Sequence, residues 1–537
     1  MKQAAAPRGR AIRPAARPAA AAPEPGPAAM PVAAMGGVLV LAAAVWILFR
    51  VRTGIVLEDA LITYRHAENL ALGRGFGFNP GEPVLGTTTP LLTLMLAAVA
   101  KLAGAGSIPL ASNALMIAAA LGSALLLGGM LLRSGLSPAF AVLAVLFVNL
   151  NPDMLWSTVG GLETPLVIFL MALGLDGALR ERWNRAAAAA ALLVLARVDG
   201  AVWAAILLVA AAFRLRWRAL RPLAIGVAVL APWLVFAWRY FGSVVPHTVV
   251  AKQAIGFGPG SVKYLPWLLN SLGVSFLGDL TPVEYAVWTL FVAAGLGAIL
   301  ADPARRRFWP LAVYPAAFGF ALWLGRAPAF EWYVVPVTWC GLVVGVLGSL
   351  EWRRMLEAYG AQRGWRRWVP QVIFAGAWIV VALGVAGRDV GAFAYHRANQ
   401  ENEDATRRRI GEWLRDHSKP GATVAMEAIG YEGTFSRRRV IDLAGVVSPE
   451  VVRIQRESRT NAQAFERVLD RFRPEFLVLR SYEVDRNRHQ HGGPLFETQA
   501  ARDSFTAHYR EVLRVTAPHA EQWGDNAQLA VFERDVR

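Results

Sequence analysis

Two adjacent carboxylates, Glu58 and Asp59, follow the first apolar stretch that is long enough to cross a membrane. A carboxylate at a bilayer surface is not stabilised by apolar packing, so it invites a functional interpretation. In a polar pocket, such a group can take the proton of an attacking hydroxyl and so act as a general base. The alternative is that the pair is solvated or begins the next helix, where the helix dipole favours negative charge.

Further charged and aromatic residues could share a pocket with these acids. Transfer of a sugar from a lipid phosphate needs a base for the acceptor hydroxyl, together with cations or hydrogen-bond donors for the departing phosphate. Glu58 and Asp59 are the candidate catalytic residues. The candidate substrate-binding residues are Tyr64, Arg65, Glu163, Arg197, Asp199, His247, Lys252, Arg326, Trp332 and Tyr333. Of these, Arg197, His247, Lys252 and Arg326 are the candidate phosphate partners.

Several of these residues have a plainer structural interpretation. Arg197 and Asp199 are two positions apart and could simply pair with each other. Glu163 could be a charge at the start of a helix, and His247 could be an ordinary loop residue. The pair Trp332-Tyr333 is typical of the aromatic belt at a membrane interface.

The sequence contains no clear motif for binding a metal ion or a nucleotide. His66, Glu82 and Asp153 could ligate a divalent cation, but no spacing argues for it. The segment 73–77 is rich in glycine but does not open a helix after a strand, so it is interpreted as a turn. The sequence therefore predicts no nucleotide and leaves a divalent cation possible.

The composition is that of a polytopic membrane protein. Of 537 residues, 55% are hydrophobic and only 18% are charged, whereas soluble proteins carry roughly a quarter charged residues. The net charge of +16 does not indicate nucleic acid, because the basic residues lie in short loops between apolar stretches, as the positive-inside rule requires. The single cysteine, Cys340, lies in an apolar stretch and cannot form an intramolecular disulfide.

The apolar stretches predict about eleven membrane spans, with the N-terminus inside the cell. Residues 1–30 are interpreted as a disordered basic cytoplasmic tail, and residues 31–387 as a transmembrane core with a first outer loop at 51–108. The segment 89–104 is placed in the outer interface, since a crossing there would put the downstream arginines outside. The predicted spans are 31–49, 109–132, 137–151, 162–180, 184–197, 199–213, 222–240, 284–300, 308–325, 331–350 and 368–387.

The character of the sequence changes after Arg388. Residues 388–537 are predicted to form an extracytoplasmic α/β domain, because short alternating stretches are interleaved with helical ones. The predicted helices are 398–416 and 461–472, and the predicted strands are 422–428, 439–443, 475–479, 509–516 and 528–533. The predicted fold class is therefore mainly α, a membrane helix bundle with a C-terminal α/β domain.

A set of motifs spread over roughly residues 50–450 carries a family resemblance. They are Glu58-Asp59-Ala60-Leu61-Ile62-Thr63-Tyr64-Arg65, Asn69-Leu70, Gly73, Gly75-Phe76, Phe78-Asn79-Pro80-Gly81-Glu82, Gly86-Thr87-Thr88, Gly160-Gly161-Leu162-Glu163-Thr164, Ala196-Arg197-Val198-Asp199-Gly200, Phe241-Gly242-Ser243-Val244-Val245-Pro246-His247-Thr248, Ala251-Lys252, Glu331-Trp332-Tyr333-Val334-Val335-Pro336 and Val440-Ile441-Asp442-Leu443-Ala444-Gly445. With these motifs the chain resembles the C superfamily of glycosyltransferases (GT-C), which use polyprenyl-phosphate sugars. Within it, the chain most resembles the actinobacterial terminal arabinofuranosyltransferase family.

The resemblance implies an inverting transfer from a decaprenyl-phosphate-type donor, with an acid of the first outer loop as catalytic base. The sequence departs from the family pattern at three positions. Glu58 stands where an Asp is expected, which makes Asp59 the safer choice for the base. Val198 and His247 replace an expected Pro and Asn, which leaves mannose as a competitor to arabinofuranose.

The sequence therefore predicts a multi-pass plasma-membrane glycosyltransferase with its active site on the extracytoplasmic face. Its partners would be a polyprenyl-phosphate sugar, membrane lipid and a cell-envelope glycan or glycolipid acceptor, and no nucleic acid. The alternatives are a mannosyl or other polyprenyl-phosphate-sugar transferase acting on protein or lipid, and a non-catalytic transporter of lipid-linked sugars. A transporter should carry polar residues through the depth of the membrane, whereas these spans are almost purely apolar.

Overall fold

The apolar stretches of the sequence fold into helices rich in Ala, Leu and Val, since a helix satisfies its own backbone polar groups in lipid. Several of these helices have a proline in the first turn, where no backbone N–H is required. The structure is a computed structural model that describes residues 32–254, 281–324 and 330–535, so the predicted tail at 1–30 lies outside the described residues. The longer helices of this part are α1 (Val32–Thr53), α2 (Glu58–Ala71), α3 (Pro90–Ala103), α4 (Ile108–Arg133), α5 (Pro138–Asn149), α6 (Pro152–Val159), α7 (Thr164–Leu179), α8 (Trp183–Ala196), α9 (Ala201–Leu215), α10 (Leu220–Phe241), α11 (His247–Ala254), α12 (Pro282–Ala301), α13 (Trp309–Leu324), α14 (Glu331–Gln362) and α15 (Trp368–Glu403).

The chain is a multi-pass membrane protein. Among the described residues, six helical stretches are long and apolar enough to cross a membrane, and α5 with α6 could form a seventh that is bent by 63°. Every predicted span corresponds to a helix, but α7, α8 and α13 are shorter apolar helices. Helix α3, in the segment predicted to lie in the outer interface, is also a shorter apolar helix. The number of about eleven crossings therefore stays a prediction.

Helices α12 and α14 approach each other closely along two glycines. A Cβ atom on Gly348 would lie 1.9 Å from the carbonyl oxygen of Phe291, and one on Gly295 would lie 2.3 Å from that of Val344. Small residues allow membrane helices to pack backbone against backbone.

The substitution Gly348→Ala is expected to lower the free energy of unfolding by about 1–3 kcal/mol, since the added methyl group forces the two helices apart. Thermal unfolding of the detergent-purified protein measures the change. Gly376→Ala on α15 is the matched control, because nothing lies within 4 Å of a Cβ at that position, and it should leave stability unchanged or slightly raised. Equal behaviour of the two variants would contradict the proposed close packing.

The C-terminal part contains the predicted α/β domain. Its strands are β1 (Thr423–Met426), β2 (Arg439–Asp442), β3 (Phe476–Arg480), β4 (Tyr509–Thr516) and β5 (Gln528–Arg534). The sheet order is β2-β1-β3-β5-β4, with β1 parallel to β2 and β3, and β5 antiparallel to β3 and β4. All five strands coincide with predicted ones to within two residues at each end.

The bounds and number of the helices in this domain differ from the prediction more than those of the strands do. The predicted helix 398–416 is helical throughout, but it does not begin at residue 398: α15 continues to Glu403, and a wider helical turn at 404–408 precedes α16 (Arg409–His417). Helix α15 thus runs unbroken past residue 388, where the domain boundary is predicted. The helix α18 (Asn461–Phe472) was predicted, whereas α17 (Pro449–Glu457) and α19 (Gln499–His508) were not.

The C-terminal domain is hydrogen-bonded to the polar loop that follows α2. The side-chain Nδ2 of Asn79 donates to the carbonyl oxygen of Val440, and its Oδ1 accepts from the backbone N–H of Val440, both at 2.9 Å. The side chain of Asn79 thus pairs with the edge strand β2. The N–H of Val56, just before α2, donates to Oε1 of Gln400 on α15 (2.8 Å). These bonds hold α2 and its loop against the domain and thereby position the site described next.

Candidate active site

A polar pocket lies where α2, the segment 86–89, the start of α7, the connection between α8 and α9, α11 and the start of α14 meet. It brings together residues from distant parts of the sequence, including predicted site residues. Its polar and aromatic lining residues are Asp59, Thr63, Thr87, Thr88, Thr89, Glu163, Arg197, Thr248, Lys252, Trp332 and Tyr333.

Arg197 is the most connected cation in the pocket wall, with a side chain that is only 3% exposed. Its Nε donates to Oδ1 of Asp199 at 2.7 Å, and its Nη1 lies 3.7 Å from Oε1 of Glu163. The predicted local pair with Asp199 is therefore present. However, the buried Nη2 of Arg197 has no hydrogen-bond partner among the described residues, so it remains available to a ligand.

Lys252 presents a second cation from α11. Its ammonium group lies 3.5 Å from the hydroxyl of Tyr333 and 4.3 Å from the ring centre of Phe330. Burial lowers the pKa of Lys252, while the nearby Asp59 opposes that shift. In the described part of the chain, no carboxylate lies within salt-bridge distance of this ammonium group, which leaves it free to meet an anion.

The two adjacent acids point in different directions. The carboxylate of Glu58 accepts hydrogen bonds from the backbone N–H groups of Gly430 (2.6 Å) and Tyr431 (3.1 Å) in the C-terminal domain. The carboxylate of Asp59 lines the pocket and has no hydrogen bond or ion pair with the residues that the structure describes. Burial raises the pKa of Asp59, and Lys252 opposes the shift. Asp59 is thus the acid that is free to exchange a proton with a ligand.

The substitution Glu58→Gln is expected to destabilise the contact between α2 and the C-terminal domain by about 1–3 kcal/mol, because an amide cannot accept both backbone hydrogen bonds as a charged group does. A lower melting temperature in detergent, with only a modest loss of any activity, is the expected result. Glu68→Gln on the same helix, which removes an ion pair at 3.8 Å with the exposed Arg437, is the control. A melting temperature equal to that of the wild type would contradict the anchoring role.

Tyr64, Arg65 and His247 do not line the pocket. The hydroxyl of Tyr64 lies against Gly161, where a Cβ atom would be only 2.3 Å from that hydroxyl. The Nε of Arg65 donates to the carbonyl oxygen of Phe78 at 3.4 Å, and the backbone N–H of His247 donates to that of Leu85 at 2.9 Å. All three pack against elements that bound the site. The predicted residue Arg326 lies outside the described residues.

The possible cation ligands do not assemble either. His66 Nδ1 lies 2.8 Å from the carbonyl oxygen of Ile62, Glu82 forms an ion pair with Arg439 at 2.7 Å, and Asp153 accepts from Thr338 at 3.3 Å. Across residues 32–254, 281–324 and 330–535, no group of three or more His, Cys, Asp or Glu side chains could hold a metal ion. A divalent cation therefore stays an untested expectation.

Sequence reasoning missed the threonine hydroxyls of the pocket. Thr63 and Thr87 each lie within hydrogen-bonding distance of Thr89, at 3.2 and 3.0 Å, and Thr248 donates to the carbonyl oxygen of Gly86 at 2.8 Å. The run Thr87-Thr88-Thr89 directly before the proline of α3 was the available signal. These hydroxyls add neutral hydrogen-bonding groups beside the charged ones.

Comparison with known proteins confirms the predicted resemblance. The chain is 28% identical over 325 residues to the terminal beta-(1->2)-arabinofuranosyltransferase of Mycobacterium tuberculosis, a match that covers 56% of this chain. The chain spans only about half of that relative, 48% of its length. Residues 393–532 match a family described as a domain of unknown function (DUF8728).

Solved structures share the fold over nearly the whole chain. ArnT from Cupriavidus metallidurans bound to undecaprenyl phosphate aligns with a TM-score of 0.55 at 13% identity, covering 93% of this chain and 97% of ArnT. The same protein in the apo state aligns with a TM-score of 0.55 at 14% identity, covering 93% and 98%. The chain therefore has an ArnT-like fold.

Proposed function

We propose that the chain is a membrane glycosyltransferase that transfers a sugar from a polyprenyl phosphate to a hydroxyl of a cell-envelope glycan or glycolipid. The observation that carries the proposal is the pocket, which is lined by both Asp59 and Lys252. Among the described residues, neither the carboxylate of Asp59 nor the ammonium group of Lys252 forms an ion pair. The similar arabinofuranosyltransferase makes arabinofuranose the first choice of sugar. The undecaprenyl phosphate named with ArnT supports a polyprenyl-phosphate donor.

In the proposed reaction, Asp59 takes the proton of the acceptor hydroxyl while that oxygen bonds to the anomeric carbon of the donor sugar. The bond between the anomeric carbon and the phosphate oxygen breaks, and its electron pair leaves with the polyprenyl phosphate. A single displacement of this kind inverts the anomeric configuration. We place it on the extracytoplasmic face, where the topology prediction puts the loop that carries Asp59.

The departing phosphate needs positive charge and hydrogen-bond donors. Lys252 offers an ammonium group without a carboxylate partner in the described part of the chain, and Arg197 offers its unpaired Nη2. Asp199 and Glu163 hold the guanidinium of Arg197 in place by ion pairs. These two cations are the groups that we propose for stabilising the departing phosphate.

The rate of transfer should fall as the pH is lowered through the raised pKa of Asp59, because the base works only in its deprotonated form. Burial raises that pKa, so the acid limb of kcat/KM should lie above the pKa of about 3.9 of an unperturbed aspartate. A pH profile of the initial transfer rate measures the limb. A profile that stays flat down to about pH 4 would contradict a buried base.

The proposal is tested with the full chain purified in detergent. Radiolabelled decaprenyl-phosphate arabinofuranose and decaprenyl-phosphate mannose are offered in parallel, with arabinan and mannan oligosaccharides as acceptors. Label transfer to an oligosaccharide would support the proposal and identify the sugar. No transfer, combined with movement of labelled lipid across reconstituted vesicles, would overturn it in favour of a transporter.

A further inference from the structure

A second cavity, of about 240 Å³, lies inside the C-terminal domain and shares no lining residue with the active-site pocket. It sits at the carboxyl ends of the three parallel strands. Glu427 follows β1, Leu443 follows β2 and Arg480 ends β3, and all three line the cavity. In open α/β sheets, ligands bind in the crevice outside the carboxyl ends of the strands.

The charges around this cavity are balanced. The guanidinium of Arg480 donates to the carboxylate of Glu427 and lies 3.9 Å from that of Glu483, and Arg459 adds a second cation at the rim. Burial lowers the pKa of His489 to about 4, so its imidazole is neutral at pH 7. A lining without an excess of either charge favours a neutral polar ligand over a phosphate or a nucleotide.

The side chain of Gln455 in the cavity lining has an acceptor atom without a hydrogen-bond partner among the described residues. The side-chain amide of Gln455 donates through Nε2 to the carbonyl oxygen of Leu443 at 2.9 Å, which fixes its orientation. Its buried Oε1 has no hydrogen-bond partner among the described residues. The wall beside it is apolar, with Ala464 and the aromatic ring of Phe465. Polar acceptors next to an aromatic ring suit a sugar, which has hydroxyl donors and apolar C–H faces.

We propose that this cavity binds one neutral sugar residue of the acceptor glycan and holds the glycan while its end is extended. The proposal rests on the glycosyltransferase function proposed above and assigns to that function a second glycan-binding site. The volume is below the roughly 300–1,000 Å³ of common ligand pockets, so one residue of a longer glycan fits the cavity better than a whole oligosaccharide.

The segment after β2 links the cavity to the active-site pocket. Leu443 lines the cavity and Val446 lines the pocket. Asp442 holds the turn between them by accepting the N–H groups of Ala444 and Val447, both at 2.9 Å. The linings of the cavity and the pocket are therefore joined by one short turn of the chain.

A second connection runs through helices. Helix α17 carries Gln455 in the cavity wall, and the neighbouring Arg456 donates to the carbonyl oxygen of Val250 at 3.4 Å. Val250 lies on α11, the helix that carries Lys252 of the active-site pocket. Helix α17 thus lines the second cavity and also contacts α11.

The test measures glycan binding separately from transfer. Full-length protein in detergent is titrated with arabinan and mannan oligosaccharides and with inorganic phosphate, and binding is followed by thermophoresis. Gln455→Met removes the free acceptor, and Ala464→Leu fills the cavity from its apolar wall. Gln499→Met is the matched control, since Gln499 is exposed and lies outside the cavity. Each cavity variant should weaken oligosaccharide binding by about tenfold, and the control should not.

Kinetics with long and short acceptors complete the test. The cavity variants should raise KM for long acceptors and leave kcat, and transfer to a monosaccharide acceptor, unchanged. Oligosaccharide binding that is equal in wild type and both variants, or binding of phosphate alone, would overturn the inference. If the wild type transfers no sugar but still binds oligosaccharide in a Gln455-dependent way, the cavity assignment stands and the proposed enzyme function fails.

Discussion

Replacing Asp59 by Asn is expected to lower kcat for sugar transfer by a factor of about 10²–10⁴, the range typical of a lost general base. The change keeps the size and polarity of the side chain but removes its ability to take a proton. Asp59 has no hydrogen bond or ion pair with the described residues, so its replacement should cost little folding stability. Initial rates with radiolabelled donor, together with thermal unfolding in detergent, measure both effects.

Two variants on the same helix make this result specific. Glu68→Gln also removes a carboxylate from α2, but Glu68 does not line the pocket, so transfer should stay near the wild-type rate. Glu58→Gln should act mainly on stability, because Glu58 is bonded to the backbone of Gly430 and Tyr431. The assignment of the base would be wrong if Asp59→Asn kept full kcat, or if only Glu58→Gln lost it.

The sequence could place two acids at the start of the first outer loop but could not separate their roles. The difference arises from contacts far away in the chain, because the partners of Glu58 lie 372 and 373 residues downstream. Local pattern carries no information about such a contact. By contrast, the ion pair of Arg197 with Asp199 was predictable, since the two residues are separated by a single position and need no tertiary structure to meet.

The same distinction applies to the fold. The five strands were predictable because short stretches rich in Val, Ile, Leu and Phe between polar segments are a local signal. The membrane helices were predictable because long apolar stretches are equally local. The continuation of α15 across residue 388 was not, since polar residues there suggested a new domain rather than a helix leaving the membrane. The number of crossings stays a prediction because helices such as α8, with 14 residues, are shorter than the hydrocarbon core requires.

The second cavity could not be predicted from the sequence for a related reason. Its walls come from the ends of three strands and from α17 and α18, and α17 was not predicted. Glu427, Arg480 and Gln455 have ordinary sequence surroundings, and only the parallel order of β1, β2 and β3 brings them together. A site of this kind follows from sheet topology, which the strand pattern alone does not determine.

Replacing Lys252 by Met is expected to lower kcat by a factor of about 10²–10³, the usual effect of removing one group that stabilises developing negative charge. The methionine keeps the length of the side chain, while the positive charge that meets the departing phosphate is lost. Lys252→Arg should restore part of the rate, because it returns the charge with a different shape. Lys101→Met, at an exposed position near the end of α3, should have no effect.

The pH profile distinguishes this electrostatic role from a merely structural one. The charge of Lys252 lowers the pKa of Asp59 against the effect of burial, so its removal should raise that pKa further. A smaller fraction of Asp59 is then deprotonated at a given pH, and the acid limb of kcat/KM should move to higher pH in Lys252→Met. A reduced kcat with an unmoved acid limb would mean that Lys252 only supports the pocket wall. If the cation and the base act together, the variant that carries both Lys252→Met and Asp59→Asn should lose less kcat than the product of the two single losses, because substitutions of residues that act as a unit are not additive.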